Sequence, residues 1–413
     1  MTLPTPSRVS WRAFGAVAIT LAGALGACLG PEECEPSGFG VQCRGPATAT
    51  CSPRPDRYGG GAVVDTQGCH ETMACSEAYG ALAAVCMPAT SSVCRRDPLR
   101  ALAKDAPVAV SRDGKHVAVA SGKAIEVFAY PSGPAVRLDV TDAPTAMLFA
   151  DMNGDGEPDL VLGAEGGTRV SLRKGPELLP PTLLANESTL HAAGDLDGDG
   201  LDDVVVSRAY DLKVVFGGPE RRTVPLDVST LGPVVAVGDV SGDGKPELVV
   251  VGVGEGLGMK LSVLSFASDR SARSWAVPIG ETASSGSING VTIYGSPSAL
   301  ALSDMDGDGI ADAVVGSLGK NLAVFRGGEA GFARGAMGLT LAEPSALAPL
   351  AGGGVVASLA RTPVVAVIPR LDAQVLYRSA PTLEEAAKPI PVPQGTRPLF
   401  RTATALVGDC TAP

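Results

Sequence analysis

The stretch that decides the fold is Asp195-Leu-Asp-Gly-Asp-Gly-Leu-Asp-Asp203, which alternates acidic side chains with glycines. Closely similar nonapeptides begin at Asp151, Asp239 and Asp304. All four follow the pattern D-x-[DNS]-G-D-G-x-x-[DE], and we number them loops 1 to 4 in chain order. The pattern predicts a tight turn, because glycine adopts the left-handed backbone conformations that other residues avoid.

The spacing of these loops marks a structural repeat. Loops 1, 2 and 3 start 44 residues apart, and loop 4 starts 65 residues after loop 3. A period near 44 residues is typical of a β-propeller blade with four strands. The longer third step predicts an insertion at about 254–296, a segment that is rich in Gly and Ser and holds Trp275. This insertion is interpreted either as an extended hairpin or as a ligand-binding loop.

Short apolar, β-branched segments flank every loop, so each loop is expected to connect the two strands of a hairpin. Val204–Val206, for example, follows loop 2 directly. Weaker copies without the acidic side chains occur around 107–120 and 345–357, and Thr404–Asp409 resembles the first strand of a further unit. We therefore predict an all-β fold, a β-propeller of four-stranded blades, with seven blades favoured and six as the rival number.

The sequence divides into three segments. Residues 1–27 combine Arg8 and Arg12 with an apolar run, which predicts a signal peptide. Residues 28–100 are rich in Cys, Gly and Pro, and we expect disulfides to stabilise this segment because it has few long apolar runs. Residues 101–413 form the predicted propeller.

The predicted signal ends in Leu25-Gly-Ala-Cys28. Small residues directly before a cysteine resemble the lipobox of bacterial lipoproteins, in which the cysteine becomes the lipidated N-terminus. The resemblance implies export to a bacterial cell envelope and attachment to a membrane through Cys28. The resemblance to lipoprotein sorting signals also implies the outer membrane, because no Asp follows the cysteine. An ordinary secretory signal is the alternative interpretation.

The nine cysteines support an oxidising compartment. If Cys28 carries lipid, eight remain, and eight can form four disulfides. Seven of these lie between residues 34 and 94, so complete pairing has to include Cys410, and our hypothesis is that Cys94 is its partner. A metal site is the alternative, although the irregular spacing disfavours it. The disulfide candidates are Cys34, Cys43, Cys51, Cys69, Cys75, Cys86, Cys94 and Cys410.

The acidic loops and the strands around them resemble the FG-GAP/VCBS repeat family, which includes the propellers of integrin α-subunits and many bacterial surface proteins. Two further segments carry this resemblance, Lys213-Val-Val-Phe216 before Gly217-Gly218 and Leu322-Ala-Val-Phe325 before Arg-Gly-Gly328. The resemblance spans about 105–409 and is strongest over 145–335. The outer units depart from the family pattern because they lack the acidic loop.

The loops carry the side chains that a calcium ion requires. Calcium takes six to eight oxygen ligands at about 2.3–2.6 Å, and alternate side chains of one short loop can supply them. Positions 1, 3, 5 and 9 offer three or four carboxylates per loop, and position 7 offers its backbone carbonyl. We expect up to four Ca²⁺, with loop 3 binding most weakly because Ser241 is neutral and Lys245 is positive. The candidate ligands are Asp151, Asn153, Asp155, Glu157, Asp159, Asp195, Asp197, Asp199, Leu201, Asp203, Asp239, Ser241, Asp243, Lys245, Glu247, Asp304, Asp306, Asp308, Ile310 and Asp312.

Two other interpretations of the acidic loops are weaker. An EF-hand needs a helix after the loop and Glu at position 12, whereas β-forming residues follow these loops and position 12 is Leu or Val. Plain Asp/Gly turns without metal are the second alternative, and the recurrence of four copies in register disfavours them.

The remaining composition bears on function. A net charge of −11 without a visible basic face disfavours nucleic acid as a partner. His70, His116 and His191 lie far apart in the sequence, and the chain lacks G-x-S-x-G, H-E-x-x-H and phosphate-loop motifs. No catalytic residue and no organic cofactor is therefore nominated, and we expect a non-enzymatic surface binding or adhesion module for a protein or a glycan. A carbohydrate-active protein, either a lectin or a polysaccharide-processing enzyme, is the alternative, although an aromatic content of 4% disfavours many sugar-stacking sites. A structural subunit of an envelope complex is the third hypothesis.

Overall fold

The structure is a computed structural model, and the residues that it describes form β-strands without any α-helix. No described helix could therefore serve as an apolar membrane span. Before residue 100, between 279 and 296, and after residue 370, the structure describes only the strands given below. Elsewhere it describes residues 100–103, 106–130, 133–209, 211–228, 231–253, 259–278, 297–317, 321–329, 331–339, 343–350, 352–359, 364–368 and 370.

The segment before residue 100 contributes two small antiparallel sheets, described by their backbone alone. The first has the strand order β1-β4-β3-β2, and the second pairs β5 with β6. The signal peptide and all nine cysteine side chains, from Cys28 to Cys410, lie outside the described residues, so lipidation and disulfides remain predictions. The strands are β1 (Glu33–Cys34), β2 (Gly40–Arg44), β3 (Ala47–Pro53), β4 (Gly61–Gly68), β5 (Met73–Ser76) and β6 (Val85–Pro88).

Seven further four-stranded antiparallel sheets follow, which we number sheets 1 to 7. After β7 (Arg100–Ala101), sheet 1 holds β8 (Val108–Val110), β9 (His116–Ser121), β10 (Ala124–Ala129) and β11 (Ala135–Asp139). Sheet 2 holds β12 (Ala146–Ala150), β13 (Asp159–Ala164), β14 (Gly167–Ser171) and β17 (Thr182–Ala185), with the hairpin β15 (Arg173–Lys174) and β16 (Glu177–Leu178) before β17. Sheet 3 holds β18 (Thr189–Gly194), β19 (Asp203–Arg208), β20 (Asp211–Val215) and β21 (Thr223–Pro225).

The second half of the chain repeats this plan. Sheet 4 holds β22 (Leu231–Gly238), β23 (Glu247–Val253), β24 (Met259–Phe266) and β25 (Ala272–Pro278). The hairpin β26 (Gly286–Ile288) and β27 (Val291–Ile293) precedes sheet 5, which holds β28 (Pro297–Ser303), β29 (Asp312–Ser317), β30 (Asn321–Arg326) and β31 (Ala333–Leu339). Sheet 6 holds β32 (Pro344–Pro349), β33 (Val355–Leu359), β34 (Val364–Ile368) and β35 (Leu376–Ser379), and sheet 7 holds β36 (Lys388–Ile390), β37 (Leu399–Arg401), β38 (Ala405–Gly408) and β7.

The second strand of a sheet is buried on both faces, which explains why these strands are continuous apolar runs. Val204, Val205 and Val206 of β19 are all 0% exposed, although successive side chains of a strand point to opposite faces. Val204 packs with residues of sheet 2, and Val205 packs with residues of sheet 4. Sheet 3 is thus enclosed between its two neighbours, as a propeller blade is.

The first strands connect the sheets in series. The first strand of each sheet from 1 to 6 contacts that of the next sheet, and β36 contacts both β32 and β8. Sheet 7 pairs β7 from the start of this region with β38 from its end, through Ala101 opposite Ala405. Thr404–Asp409 was expected to hold the first strand of a unit, and this was wrong, because β38 is hydrogen-bonded on both edges as a third strand.

The structure narrows the segment that was predicted as an insertion. β24 and β25 lie within 254–296, yet β24 pairs with β23 and β25 pairs with β24, so that both strands complete sheet 4. The extra chain between sheets 4 and 5 therefore begins after Pro278 and includes the hairpin of β26 and β27. The side chain of Trp275 lies outside the described part of the chain.

Candidate functional site

Each acidic loop connects the first and second strands of one sheet. In loop 1 the residue before position 1 pairs with position 9, as Ala150 opposite Asp159, and loop 2 does the same with Gly194 opposite Asp203. The four loops therefore occupy equivalent points of successive sheets, sheets 2 to 5. Their ranges are 151–159, 195–203, 239–247 and 304–312.

The aspartate at position 1 organises the turn. In loop 1, Asp151 Oδ1 accepts the N–H of Gly154 at 2.8 Å, and its Oδ2 accepts the N–H of Gly156 at 2.9 Å. Asp239 and Asp304 accept the same two glycine N–H groups in loops 3 and 4. The eight glycines at positions 4 and 6 have φ between +75° and +88°, which confirms the left-handed conformation predicted for them.

The aspartate at position 9 is buried and fastens the loop to the third strand. Asp203 Oδ2 accepts the N–H of Leu196 at 2.8 Å, and its Oδ1 accepts the N–H of Gly217, just after β20, at 2.9 Å. Asp159 and Asp312 make the equivalent pair of bonds. Both oxygens of these predicted ligands are thus already engaged by backbone N–H groups, which gives position 9 a structural role of its own.

Burial also changes the acidity of position 9. Desolvation raises the pKa of Asp203 to about 7 and the pKa values of Asp159 and Asp312 to about 6. The pKa of Glu247 is raised by the same cause. The backbone N–H bonds oppose these rises, whereas the other carboxylates of each loop add to them, and a bound divalent cation acts in the opposite direction.

Three loops gather carboxylates closely enough to share one cation, since the oxygen atoms of each group lie within 4.8 Å of one another. Loops 2 and 4 use positions 1, 3 and 5. Loop 3 uses positions 1, 5 and 9, and Ser241 Oγ at position 3 donates to Glu247 Oε1 at 2.8 Å. The groups are Asp195, Asp197 and Asp199; Asp239, Asp243 and Glu247; and Asp304, Asp306 and Asp308.

Loop 1 has the same turn and the same pattern of backbone hydrogen bonds, but position 3 is the amide Asn153 instead of an acid. Asn153 Oδ1 accepts the N–H of Asp155 at 3.0 Å, and Asn153 Nδ2 donates to Asp155 Oδ2 at 3.1 Å. In all four loops position 5 accepts the N–H of position 7 at 2.8 or 2.9 Å. Carboxylate and amide oxygens without Cys or His suit calcium rather than zinc, so the donor sets of loops 1, 3 and 4 fit Ca²⁺.

Loop 2 differs from the other three. Arg270 from the turn between β24 and β25 donates through Nε to Asp197 Oδ2 at 2.9 Å and through Nη2 to Asp199 Oδ2 at 3.3 Å. Asp195 Oδ1, the counterpart of the oxygen that accepts a glycine N–H in the other loops, is buried without a hydrogen-bond partner. A loop with four carboxylates in its sequence therefore already contains a cationic side chain.

The side chain at position 7 covers the preceding loop. A β-carbon added to Gly154 of loop 1 would come within 2.6 Å of Leu201 Cδ2 in loop 2. A β-carbon added to Gly242 of loop 3 would come within 2.7 Å of Ile310 Cδ1 in loop 4. Position 7 was predicted to offer only its carbonyl, and the structure adds this packing role.

His116 and His191 lie in different sheets, and His70 lies outside the described residues. His191 Nε2 is 2.8 Å from Ser207 Oγ, and burial lowers the pKa of His191. Ser207 is only 2% exposed, so its hydroxyl is poorly placed to reach a substrate. Sheet 6 has a comparable contact at its own first-strand bulge, where two serine hydroxyls lie 2.9 Å apart. The His191–Ser207 pair therefore resembles a structural link across the bulge.

A cavity of about 390 Å³ lies among the first strands of sheets 1 to 6. Its lining is mostly Ala, Val and Leu, and the polar side chains in it are Arg112 and His191. Arg112 donates to Asp202 Oδ1 at 3.2 Å. The cavity thus offers few polar groups to a ligand.

Comparison with known proteins agrees with this geometry. The family described as FG-GAP-like repeat matches residues 151–206, which contain loops 1 and 2. The structure is also similar to the Cps50 (Swd1) β-propeller domain of Myceliophteria thermophila, with 10% sequence identity, a TM-score of 0.52, and coverage of 76% of this chain and 98% of that chain. The chain folds as a β-propeller, and its residues 151–206 match the FG-GAP-like repeat.

The propeller is similar as well to a catalytically inactive virginiamycin B lyase from Staphylococcus aureus with quinupristin. The sequence identity is 10%, the TM-score is 0.50, and the match covers 75% of this chain and 97% of that chain. At such low identity this similarity shows the fold alone. No curated protein sequence matches this propeller significantly.

Proposed function

We propose that this propeller binds calcium in its acidic loops and acts as a non-enzymatic binding or adhesion module on a bacterial cell envelope. The observation that carries the proposal is the recurrence of one oxygen-rich frame at equivalent points of four successive sheets. Carboxylates held this close repel one another, and a divalent cation removes that repulsion while it stabilises the turn. We propose that the calcium braces the sheets and that the partner binds elsewhere.

The blade number that we propose is seven, with sheets 1 to 7 as the blades. Two contacts support this number. The pairing of β7 with β38 joins the start of the region to its end, and the contacts of β36 with β32 and β8 complete the series of first strands. A sheet made from both ends of the propeller region closes the ring without leaving an open gap between blades.

A protein or glycan partner and a lipid anchor at Cys28 complete the proposal. The cavity among the first strands of sheets 1 to 6 has a mostly apolar lining. This supports a non-enzymatic role, because a site for a polar sugar needs several hydrogen-bonding groups that point toward the sugar. A glycan array identifies any glycan that the calcium-loaded protein binds, and an assay for cleavage of that glycan separates this proposal from a polysaccharide-processing enzyme. Cleavage of a bound polysaccharide would replace the proposal with that alternative.

Calorimetric titration of calcium into the chelator-treated protein tests the metal site directly. We expect measurable heat of binding and a higher melting temperature with calcium. Asp308→Ala removes a carboxylate of the loop 4 cluster and is expected to lower the number of ions bound by one. Asp211→Asn, an exposed position outside the loops, is the control and should bind as the unaltered protein does. Absence of binding heat together with an unchanged melting temperature would overturn the proposal.

A further inference from the structure

The acidic cluster of loop 2 encloses a side chain from the neighbouring sheet. Arg270 contacts one oxygen of Asp197 and one of Asp199, at 2.9 and 3.3 Å. The Arg270 side chain is 17% exposed and that of Asp197 only 1%. An arginine that bonds two carboxylates away from water interacts with them more strongly than a surface ion pair does.

The turn that carries Arg270 places it at this point. Arg270 has a φ of +66°, which is uncommon for a residue with a side chain, and its N–H donates to Ala267 O at 2.7 Å. Its guanidinium carbon lies 4.9 Å from the centre of the Phe216 ring, and Phe216 meets Phe266 edge-on at 5.8 Å. Turn geometry and the aromatic pair therefore direct the guanidinium into loop 2.

The other loops lack an enclosed counter-charge of this kind. Arg326 Nε lies 3.5 Å from Asp306 Oδ2 in loop 4, but the Arg326 side chain is 49% exposed. Within the described ranges, no Lys or Arg forms an ion pair with a carboxylate of loop 1 or loop 3.

Arg270 also uses the oxygens that a calcium ion would need. The second oxygen of Asp197 accepts the N–H of Asp199 at 3.1 Å, and the second oxygen of Asp199 accepts the N–H of Leu201 at 2.9 Å. The same backbone bonds occur in loops 1 and 4, so what sets loop 2 apart is the guanidinium of Arg270 on the remaining oxygens of Asp197 and Asp199. A guanidinium at this point takes two of the oxygens that a calcium ion would bind, and its positive charge repels the ion.

We propose that Arg270 is the resident cation of loop 2 and excludes calcium from it, so that the propeller binds calcium in loops 1, 3 and 4 only. This inference rests on the proposed function, because it concerns which loops take the metal. It reverses the expected order of the loops, since loop 2 has four carboxylates and was expected to bind more tightly than loop 3. It also assigns Arg270 a second effect, the attachment of loop 2 to sheet 4.

Calcium stoichiometry of the full chain tests the exclusion. We expect three ions per chain for the unaltered protein and four for Arg270→Gln and for the smaller Arg270→Ala, because either change frees the carboxylates of loop 2. Arg326→Gln is the matched control and should bind three. Four ions in the unaltered protein, or three in both Arg270 variants, would contradict the proposal.

Thermal unfolding in chelator separates a failure of this inference from a failure of calcium binding as a whole. Without metal, Arg270→Gln should lower the melting temperature by several degrees, because it leaves the carboxylates of loop 2 uncompensated. The double variant Asp197→Asn/Arg270→Gln should lose less than the sum of the two single changes. If the single losses are additive, Arg270 is not the counter-charge of loop 2, whether or not calcium binds elsewhere.

Discussion

At the scale of the residue, the acid at position 9 combines two roles that sequence cannot separate. It belongs to the loop pattern and was predicted as a calcium ligand with positions 1, 3 and 5. In loop 4, Asp312 is 0% exposed and accepts N–H groups from Met305 and Gly327. Asp308 at position 5 is exposed, and among the hydrogen bonds described for loop 4 it accepts one, from the N–H of Ile310. The same acidic residue type therefore supports the fold at one position and faces outward at the other.

This difference predicts opposite outcomes for two substitutions in one loop. Asp312→Ala should destabilise the protein by about 2–4 kcal/mol with or without calcium, because it leaves two buried N–H groups unpaired. Asp308→Ala should cost little in chelator and should reduce only the stabilisation that calcium adds. Chemical denaturation of both variants in chelator and in calcium measures these values. A loss for Asp312→Ala that appears only in calcium would show that Asp312 acts solely as a ligand.

The residues of the loops could largely be predicted from sequence, whereas Arg270 could not. Glycines at positions 4 and 6 follow from the turn, since that chain path demands positive φ. Arg270 is 73 residues from Asp197, and its position depends on an unusual turn conformation and on two aromatic side chains. No local pattern around residue 270 indicates an acidic partner. The sequence did contain a signal for the structural role of position 9. Gly-Gly recurs after the third strand of sheets 3 and 5, and the first glycine of each pair donates its N–H to the acid at position 9.

At the scale of the element, neighbouring sheets approach each other closely at the end of the third strand. A β-carbon on Gly327 would lie 2.5 Å from Ala311 O and 2.7 Å from Val240 O. Val240 belongs to loop 3, so the second of these contacts joins sheet 5 to sheet 4. Backbone atoms cannot turn aside as a side chain can, and glycine is therefore required here.

Two adjacent glycines, Gly327 and Gly328, allow a matched test of this close contact between sheets. Gly327→Ala should destabilise the protein by about 1–3 kcal/mol, the usual cost of forcing an extra carbon into a packed site. Gly328→Ala should have little effect, because the atom nearest to its added carbon is 4.0 Å away. Equilibrium denaturation of the two variants gives the comparison. Equal losses would mean that the cost comes from backbone flexibility rather than from the contact between sheets.

The hairpins around the loops were predictable as elements, but the pairing of distant segments was not. Apolar and polar side chains alternate in Met259-Lys-Leu-Ser-Val263, which is a strand signal that the long step between loops 3 and 4 obscured. The position of β38 could not be read locally at all. Its outer neighbour is β7, about three hundred residues earlier in the chain.

At the scale of the whole molecule, β7 pairs with β38 and joins the start of the propeller region to its end, and we expect the stability of the propeller to depend on this pairing. β7 contributes one strand to sheet 7, and β36 to β38 contribute the other three. Sheet 6 needs a neighbour on both faces, because its second strand, β33, is buried along its whole length. Sheet 7 contacts sheet 6 through β36, so we expect the loss of β38, which disrupts sheet 7, to expose apolar surface of sheet 6.

Truncation at two nearby points tests the closure. A chain that ends after Thr404 lacks β38, whereas a chain that ends after Gly408 keeps it and also lacks Cys410. Under reducing conditions we expect the shorter chain to unfold at a temperature several degrees lower, and the longer one to match the full chain. Thermal unfolding followed by circular dichroism measures both. Identical melting of the two truncated chains would argue against a ring closed by β38.

The cover that position 7 provides has a consequence for how such a protein can be rearranged. Leu201 shields the turn of one repeat but belongs to the sequence of the next, and Ile310 does the same two repeats later. A single repeat grafted into another scaffold would carry its acidic turn and leave its cover behind. The smallest transplantable module is therefore a pair of consecutive repeats, and a graft that ignores this boundary inherits whatever side chain the recipient happens to supply.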